Sequence, residues 1–176
     1  MNYLNSFSSI TRKLIFATAF FLSYGYLCRL IGLYFFWESK TVGWILFWIA
    51  MIAILRERIK NKKLQKKKTI PEKIGIGISI FVLIIKGAFF FAVQQTSAYE
   101  KALVFIKRDQ NIQKEIGAVG GVFLVPAGNI SIATSSQGTT GNANLDFIVK
   151  GSKKYMDLNL LMDKELETDW KIEIDQ

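Results

Sequence analysis

Ile74 to Val93 (IGIGISIFVLIIKGAFFFAV) is a run of 20 residues carrying one charge, Lys86. At about 1.5 Å per helical residue it matches a hydrocarbon core of roughly 30 Å, so it reads as a transmembrane helix. Two further apolar runs precede it. Leu14 to Phe36 (LIFATAFFLSYGYLCRLIGLYFF) has 23 residues with one charge, Arg29, and Val42 to Leu55 (VGWILFWIAMIAIL) has 14 with none. The shorter run suits a buried core helix or an interfacial segment by length alone. Three features favour a crossing: Trp37, Trp44 and Trp48 fit a water interface, Arg56 and Arg58 are placed to snorkel, and Glu38-Ser39-Lys40 makes a short turn. The expectation is three transmembrane helices, at about 14–36, 42–55 and 74–93, forming a membrane domain over 1–93.

Charge then orients them. Up to Val93 the chain holds 14 Lys or Arg against 3 acids, and from Gln94 onward 9 against 11, so the net charge of +9 describes neither half. The stretch RERIKNKKLQKKKTIPEK, 56–73, carries nine cations and two Glu without an interleaved aromatic residue. Wedged between two apolar runs, it reads as a basic cytoplasmic loop attracted to anionic lipid, and not as a nucleic-acid-binding arm. The N-terminus with Arg12 and Lys13 is then cytoplasmic too, and residues 94–176 are exported. In a bacterial inner membrane, the expected location, that side is the periplasm; in a mitochondrion it is the intermembrane space. Thr69-Ile70-Pro71-Glu72 has capping-box spacing and marks the start of the third helix, with Pro71 second after the cap.

Arg29 is the 16th of 23 residues in its run and Lys86 the 13th of 20, so both fall in the outer half. Two readings stand for them. Either they snorkel to outer phosphates, or they meet an acidic group on a partner membrane protein or on a cofactor, since the three apolar runs contain no Asp or Glu. Cys28 is the lone cysteine and reads as a small buried hydrophobe.

After Val93 the periodicity becomes helical and then alternating, which makes an extracytoplasmic α+β domain over 94–176. A helix is expected from Gln94 to Asp109, with Ala98, Ala102 and Phe105 beside Tyr99, Leu103 and Ile106 on one apolar stripe, continuing the third span as a stalk. A short turn of helix follows, capped by Asn111 and stopped by Gly117. Five strands are expected: 119–125, 129–134, 143–150, 155–162 and 170–174, the first two joined through Pro126-Ala127-Gly128 and the next pair by Gly138–Gly141. One face is apolar throughout, so the strands form a meandering antiparallel sheet with the N-terminal helix packed on it.

Chemistry finds little footing in these residues. The chain has no His, the commonest general base and metal ligand, and no second Cys. Asp163, Glu165, Glu167 and Asp169 match no calcium loop and read as a solvated turn. Ser79 and Lys86 are seven residues apart, two helical turns, beyond mutual hydrogen-bond reach. No catalytic residue, metal ligand or cofactor is expected, and the chain is not expected to be an enzyme. The residues best placed to contact a partner are Arg29, Lys86, Tyr155 and Trp170.

Residues 98–117 (AYEKALVFIKRDQNIQKEIG), 147–154 (FIVKGSKK) and 169–175 (DWKIEID) together resemble the cytochrome oxidase complex assembly protein 1 family, which shares its fold with a mitochondrial presequence-translocase subunit of the inner membrane. The similarity lies in a helix with Ala-x-x-x-Ala spacing, a polar break near Asn111, an Ile-Gly ending, a strand followed by Gly and a basic turn, and a last strand bearing Trp. It implies a membrane-tethered, non-enzymatic interaction domain that assists assembly of a membrane complex such as a respiratory oxidase. Family members typically carry one span before the domain. The alternative left by Arg29 and Lys86 is a small accessory subunit of a transporter or membrane sensor, with the two cations lining a polar path.

Overall fold

The computed structural model describes residues 7–136, 138–166 and 168–175. The chain divides into two compact units, Met1–Ile85 and Lys86–Gln176.

The first unit begins with α1 (Ser9–Leu30) and α2 (Ser39–Leu64), which pack as an antiparallel pair. Small buried residues recur every seventh position, at Thr11, Thr18 and Gly25 on α1 and at Gly43 and Ala50 on α2. A seven-residue repeat keeps one seam facing a neighbouring helix, and residues without bulk let the two backbones approach. The approach is close: a Cβ on Gly25 would lie 2.6 Å from the Lys40 backbone nitrogen, and one on Gly43 would lie 2.9 Å from that of Leu22. One heptad beyond Ala50 stands Glu57, whose carboxylate accepts from the Ser8 backbone N–H at 3.0 and 3.2 Å and from the Thr11 hydroxyl at 2.5 Å. Ser8 is the N-cap of α1, so a negative charge sits where the unpaired helix donors and the positive end of the dipole favour one.

Each expected span boundary in this unit moves. The run 14–36 is not one helix, because α1 stops at Leu30 in a Schellman arrangement: Gly32 takes φ 66°, and the Leu33 N–H donates to the Cys28 carbonyl at 2.8 Å. Ile31 to Phe36 therefore form an irregular turn with Leu33, Tyr34 and Phe35 exposed. The basic stretch 56–73 is not a loop throughout, since α2 continues to Leu64. Lys, Arg and Glu are good helix formers and no Gly or Pro interrupts them, so the helix outlasts its apolar part. Among the described residues one helix, α3 (Ile70–Gln94), is long and apolar enough to cross a membrane, in place of the three expected. The helix starts where the Thr69–Glu72 spacing marks it, the Lys73 N–H donating to the Thr69 carbonyl at 3.2 Å, while the Glu72 carboxylate pairs with Lys62.

The second unit contains the end of α3, then α4 (Ser97–Arg108), α5 (Gln110–Ile116) and a four-stranded antiparallel sheet. The strands β1 (Val119–Ser135), β2 (Gly138–Gly151), β3 (Tyr155–Lys164) and β4 (Lys171–Asp175) lie in sequence order. Its α+β class agrees with the sequence, whereas the expected five strands are four. Expected strands 119–125 and 129–134 are the two halves of β1, and Pro126-Ala127 is a bulge inside it, not a hairpin turn. Leu124 pairs with Phe147 and Gly128 with Leu145, so three residues of β1 stand opposite one of β2. Pro126 offers no N–H to a ladder and is tolerated where the ladder is interrupted. The chain reverses after Ser135, so Gly138–Gly141, expected as the connection, opens β2. Gln137 lies outside the described residues.

No direct stalk runs from α3 into α4. The Thr96 hydroxyl donates to the Val93 carbonyl at 2.7 Å and accepts from the Tyr99 N–H at 3.3 Å, ending one helix and capping the next. Likewise Asp109, not Asn111, caps α5, its carboxylate accepting from the N–H groups of Asn111 and Ile112 at 2.9 Å each.

Register sets the core. Leu145 faces Leu160, Phe147 faces Leu158 and Val149 faces Met156, all on one side of the sheet. Ala98, Ala102 and Ile106 of α4 and Ile112 and Ile116 of α5 close over that side, joined by Val93 from α3. Burying a side chain such as Phe147 or Leu160 contributes roughly 1.5–3 kcal/mol each, and both are at most 1% exposed.

Candidate interaction surface

The side of the sheet away from the helices has a different chemistry. Strand alternation and register bring Asn144, Asp146, Asp157 and Asn159 to it. The Asn159 amide donates to the Asn144 side-chain oxygen at 2.8 Å and to the Asp146 carboxylate at 2.7 Å, a small cross-strand network. Near the β1–β2 turn this face sinks into an open depression of about 440 Å³, with Ser131, Ala133, Asn142, Asp163 and Lys171 among its lining. Its floor is made of small residues, and both signs of charge flank it.

The two edges of the sheet differ. β4 is five residues long and carries Lys171, Glu173 and Asp175. A Glu173 carboxylate 2.8 Å from the Lys171 amine raises that amine above its ordinary value. β1 is 17 residues long and carries no charge. Its first half is attended by the end of α3, where the Phe90 ring lies 6.4 Å from that of Phe123 and the Lys86 amine donates to the Pro126 carbonyl at 3.1 Å. From Ser131 to Ser135 every residue of β1 is exposed.

The four residues expected as partner contacts are each engaged within the chain. Arg29 donates to the Gly25 carbonyl at 2.8 Å and the Trp37 carbonyl at 3.1 Å, with its guanidinium 4.9 Å from the centre of the Trp37 ring. Lys86 caps the bulge carbonyl just described. Tyr155 is buried at the β3 end that pairs with Lys150, whose amine lies 5.8 Å from its ring. Trp170 precedes β4 instead of opening it, and its indole N–H donates to the Ser97 hydroxyl at 3.1 Å. It packs beside Gly141, at the far end of β2 from Lys150, so the two aromatic residues do not form one surface.

The acidic turn resolves into separate pairings. Asp169 is bound by the Lys101 amine and accepts from the Trp170 N–H at 3.0 Å. The hydrogen bond from Lys101, followed by that backbone contact, holds its carboxyl below the usual carboxylate range. Glu165 and Thr168 bond to each other across the turn, and Glu167 lies outside the described residues. Among the described residues no group of His, Cys, Asp or Glu is arranged to hold a metal ion. The exposed half of β1 is the part of this surface that sequence reasoning missed. Its signal was present as the absence of any charged residue between Ala118 and Leu145.

No family model matches the chain, and neither does any curated protein or solved structure.

Proposed function

We propose that the chain is a membrane-anchored, non-enzymatic assembly or scaffolding factor that acts through its α+β unit, and that the complex it serves is a membrane complex of the respiratory-oxidase kind. The observation that carries this reading is the continuity of α3. Among the described residues one helix is long and apolar enough to cross a membrane, and its last turns supply Phe89, Phe90 and Val93 to the packing of the α+β core. A sheet unit built onto the end of a membrane helix is held where it meets other membrane proteins, and its edge offers main-chain hydrogen bonding to an extended segment. The resemblance to the oxidase assembly family supports the choice of partner.

The basic segment 56–73 supports the placement. Glu57 is bound to the start of α1 and Glu72 to Lys62, so both acids of the segment are occupied internally and its remaining cations are available to anionic lipid on the cytoplasmic side. The α+β unit then lies on the opposite, periplasmic side of a bacterial inner membrane. Affinity purification of the full chain from mild detergent tests the reading. Oxidase subunits should accompany it, and a purification with no membrane-complex subunits overturns the proposal.

A further inference from the structure

Proteins protect sheet edges by shortness, charge, proline, bulges or a covering element, because an open edge recruits another strand. β4 uses the first two. The first half of β1 uses a bulge with Pro126, Lys86 on its carbonyl and Phe90 against Phe123. Beyond Gly128, among the described residues, none of these devices is present: Asn129–Ser135 (NISIATS) has no charge, no proline and no register shift, and no further strand pairs with it. Ile132 is 41% exposed there.

The chemistry of this half-strand selects its occupant. Ile130 and Ile132 lie on the apolar side of the sheet, and Ser131 and Ala133 on the side of the depression. An added strand fits best when it alternates apolar with small polar residues. A charged segment finds no complementary charge on the edge, because residues 118–145 contain none. A segment of this chain with that alternation and that neutrality is β1 itself. A two-fold axis perpendicular to a sheet keeps each face on its own side, so an antiparallel pair centred on Ile132 sets Ile132 beside its copy and Ile130 beside Thr134, and meets no like charges.

We propose that Asn129–Ser135 pairs antiparallel with the same segment of a second copy of this chain, joining two four-stranded sheets into one. The proposal stands apart from the identity of the assembly partner and is read on the purified full chain alone. Failure to self-associate leaves the assembly reading intact, and a purification without oxidase subunits leaves this one intact.

The test is the mass of the full chain in mild detergent by light scattering over a dilution series. A dimer is expected, and Ile132→Lys, which sets two amines near the axis, should weaken it about fivefold or more. Mixing Ile132→Lys with Ile132→Glu chains should restore it, which excludes simple misfolding as the cause. In a Cys28→Ser background, Ile132→Cys should yield a covalent dimer on oxidation and Glu173→Cys should not. A chain that stays monomeric at every concentration, a dimer indifferent to Ile132→Lys, or cross-linking through Glu173→Cys alone overturns the proposal. The first of these outcomes assigns the edge to a foreign strand.

Discussion

Gly128→Ala separates a bulge inside one strand from a turn between two. In an exposed turn the added methyl meets water, and a glycine at positive φ costs roughly 1 kcal/mol to replace. Here Gly128 has φ 98°, and a Cβ would lie 2.1 Å from the Asn144 backbone carbonyl oxygen across the ladder. A backbone atom held by two strands cannot swing aside as a side chain does. Strain of roughly 1–3 kcal/mol for the dihedral alone, plus the overlap, puts the cost at about 3 kcal/mol or more. Gly121→Ala is the internal control, because its Cβ would meet only the Lys150 Cβ at an ordinary 3.9 Å. Hydrogen exchange read by mass spectrometry on the full chain localises the effect. Peptides covering 128–135 and 138–145 should lose roughly a hundredfold in protection in Gly128→Ala, while Gly121→Ala stays within a few-fold of the parent. Equal tolerance of both substitutions would refute the reasoning.

Three further outcomes follow from contacts in the α+β unit. Because Asp169 has a folded pKa below its unfolded value of about 3.9, its stabilisation is complete above that value and is lost as pH falls through the lower one. The melting temperature of Asp169→Asn should therefore lie below that of the parent at neutral pH and converge with it in acid; a gap that persists at the lowest pH contradicts this. Thr96→Ala removes the α4 cap and should cost about 1 kcal/mol, seen as a lowered melting temperature that Thr96→Ser largely recovers. Lys86→Met leaves the Pro126 carbonyl without its amine and should cost about 1.5–3 kcal/mol, with faster exchange in 122–128 and none of that change in 155–164.

Local physics made much of this fold readable, and its limits show at particular residues. The period-two alternation of Leu145, Phe147 and Val149 against Leu158, Leu160 and Met162 needed only the pleat, and the sheet face follows it. The end of α1 was equally local, since Leu-Ile-Gly-Leu is a helix stop, but a hydropathy reading passes over glycine in an apolar run. α2 outlasts its apolar residues because backbone hydrogen bonding continues through Lys and Arg whatever the medium. Pro126-Ala127-Gly128 is different in kind: turn and bulge share the same residues, and only the pairing of Leu124 with Phe147 and Gly128 with Leu145 decides between them. Trp170 looked available for a partner because its burial depends on Ser97, 73 residues away.

The same long-range packing bears on the reach of α3. Ile70 to Ile85 is 16 residues, or about 24 Å of helix, short of a hydrocarbon core of roughly 30 Å. The remaining length must come from 86–94, the segment that also packs on the α+β core. That segment is two-sided: Val93 is fully buried, whereas Phe91 is 68% exposed. Were α3 to cross a bilayer, Phe91 would be the side of this segment open to lipid and Val93 the side held by protein. At the start of that segment the Lys86 amine donates to the Pro126 carbonyl. A hydrogen bond within the chain therefore stands beside the two readings for Lys86, lipid phosphate and an acidic partner, and its carbonyl acceptor leaves the positive charge in place.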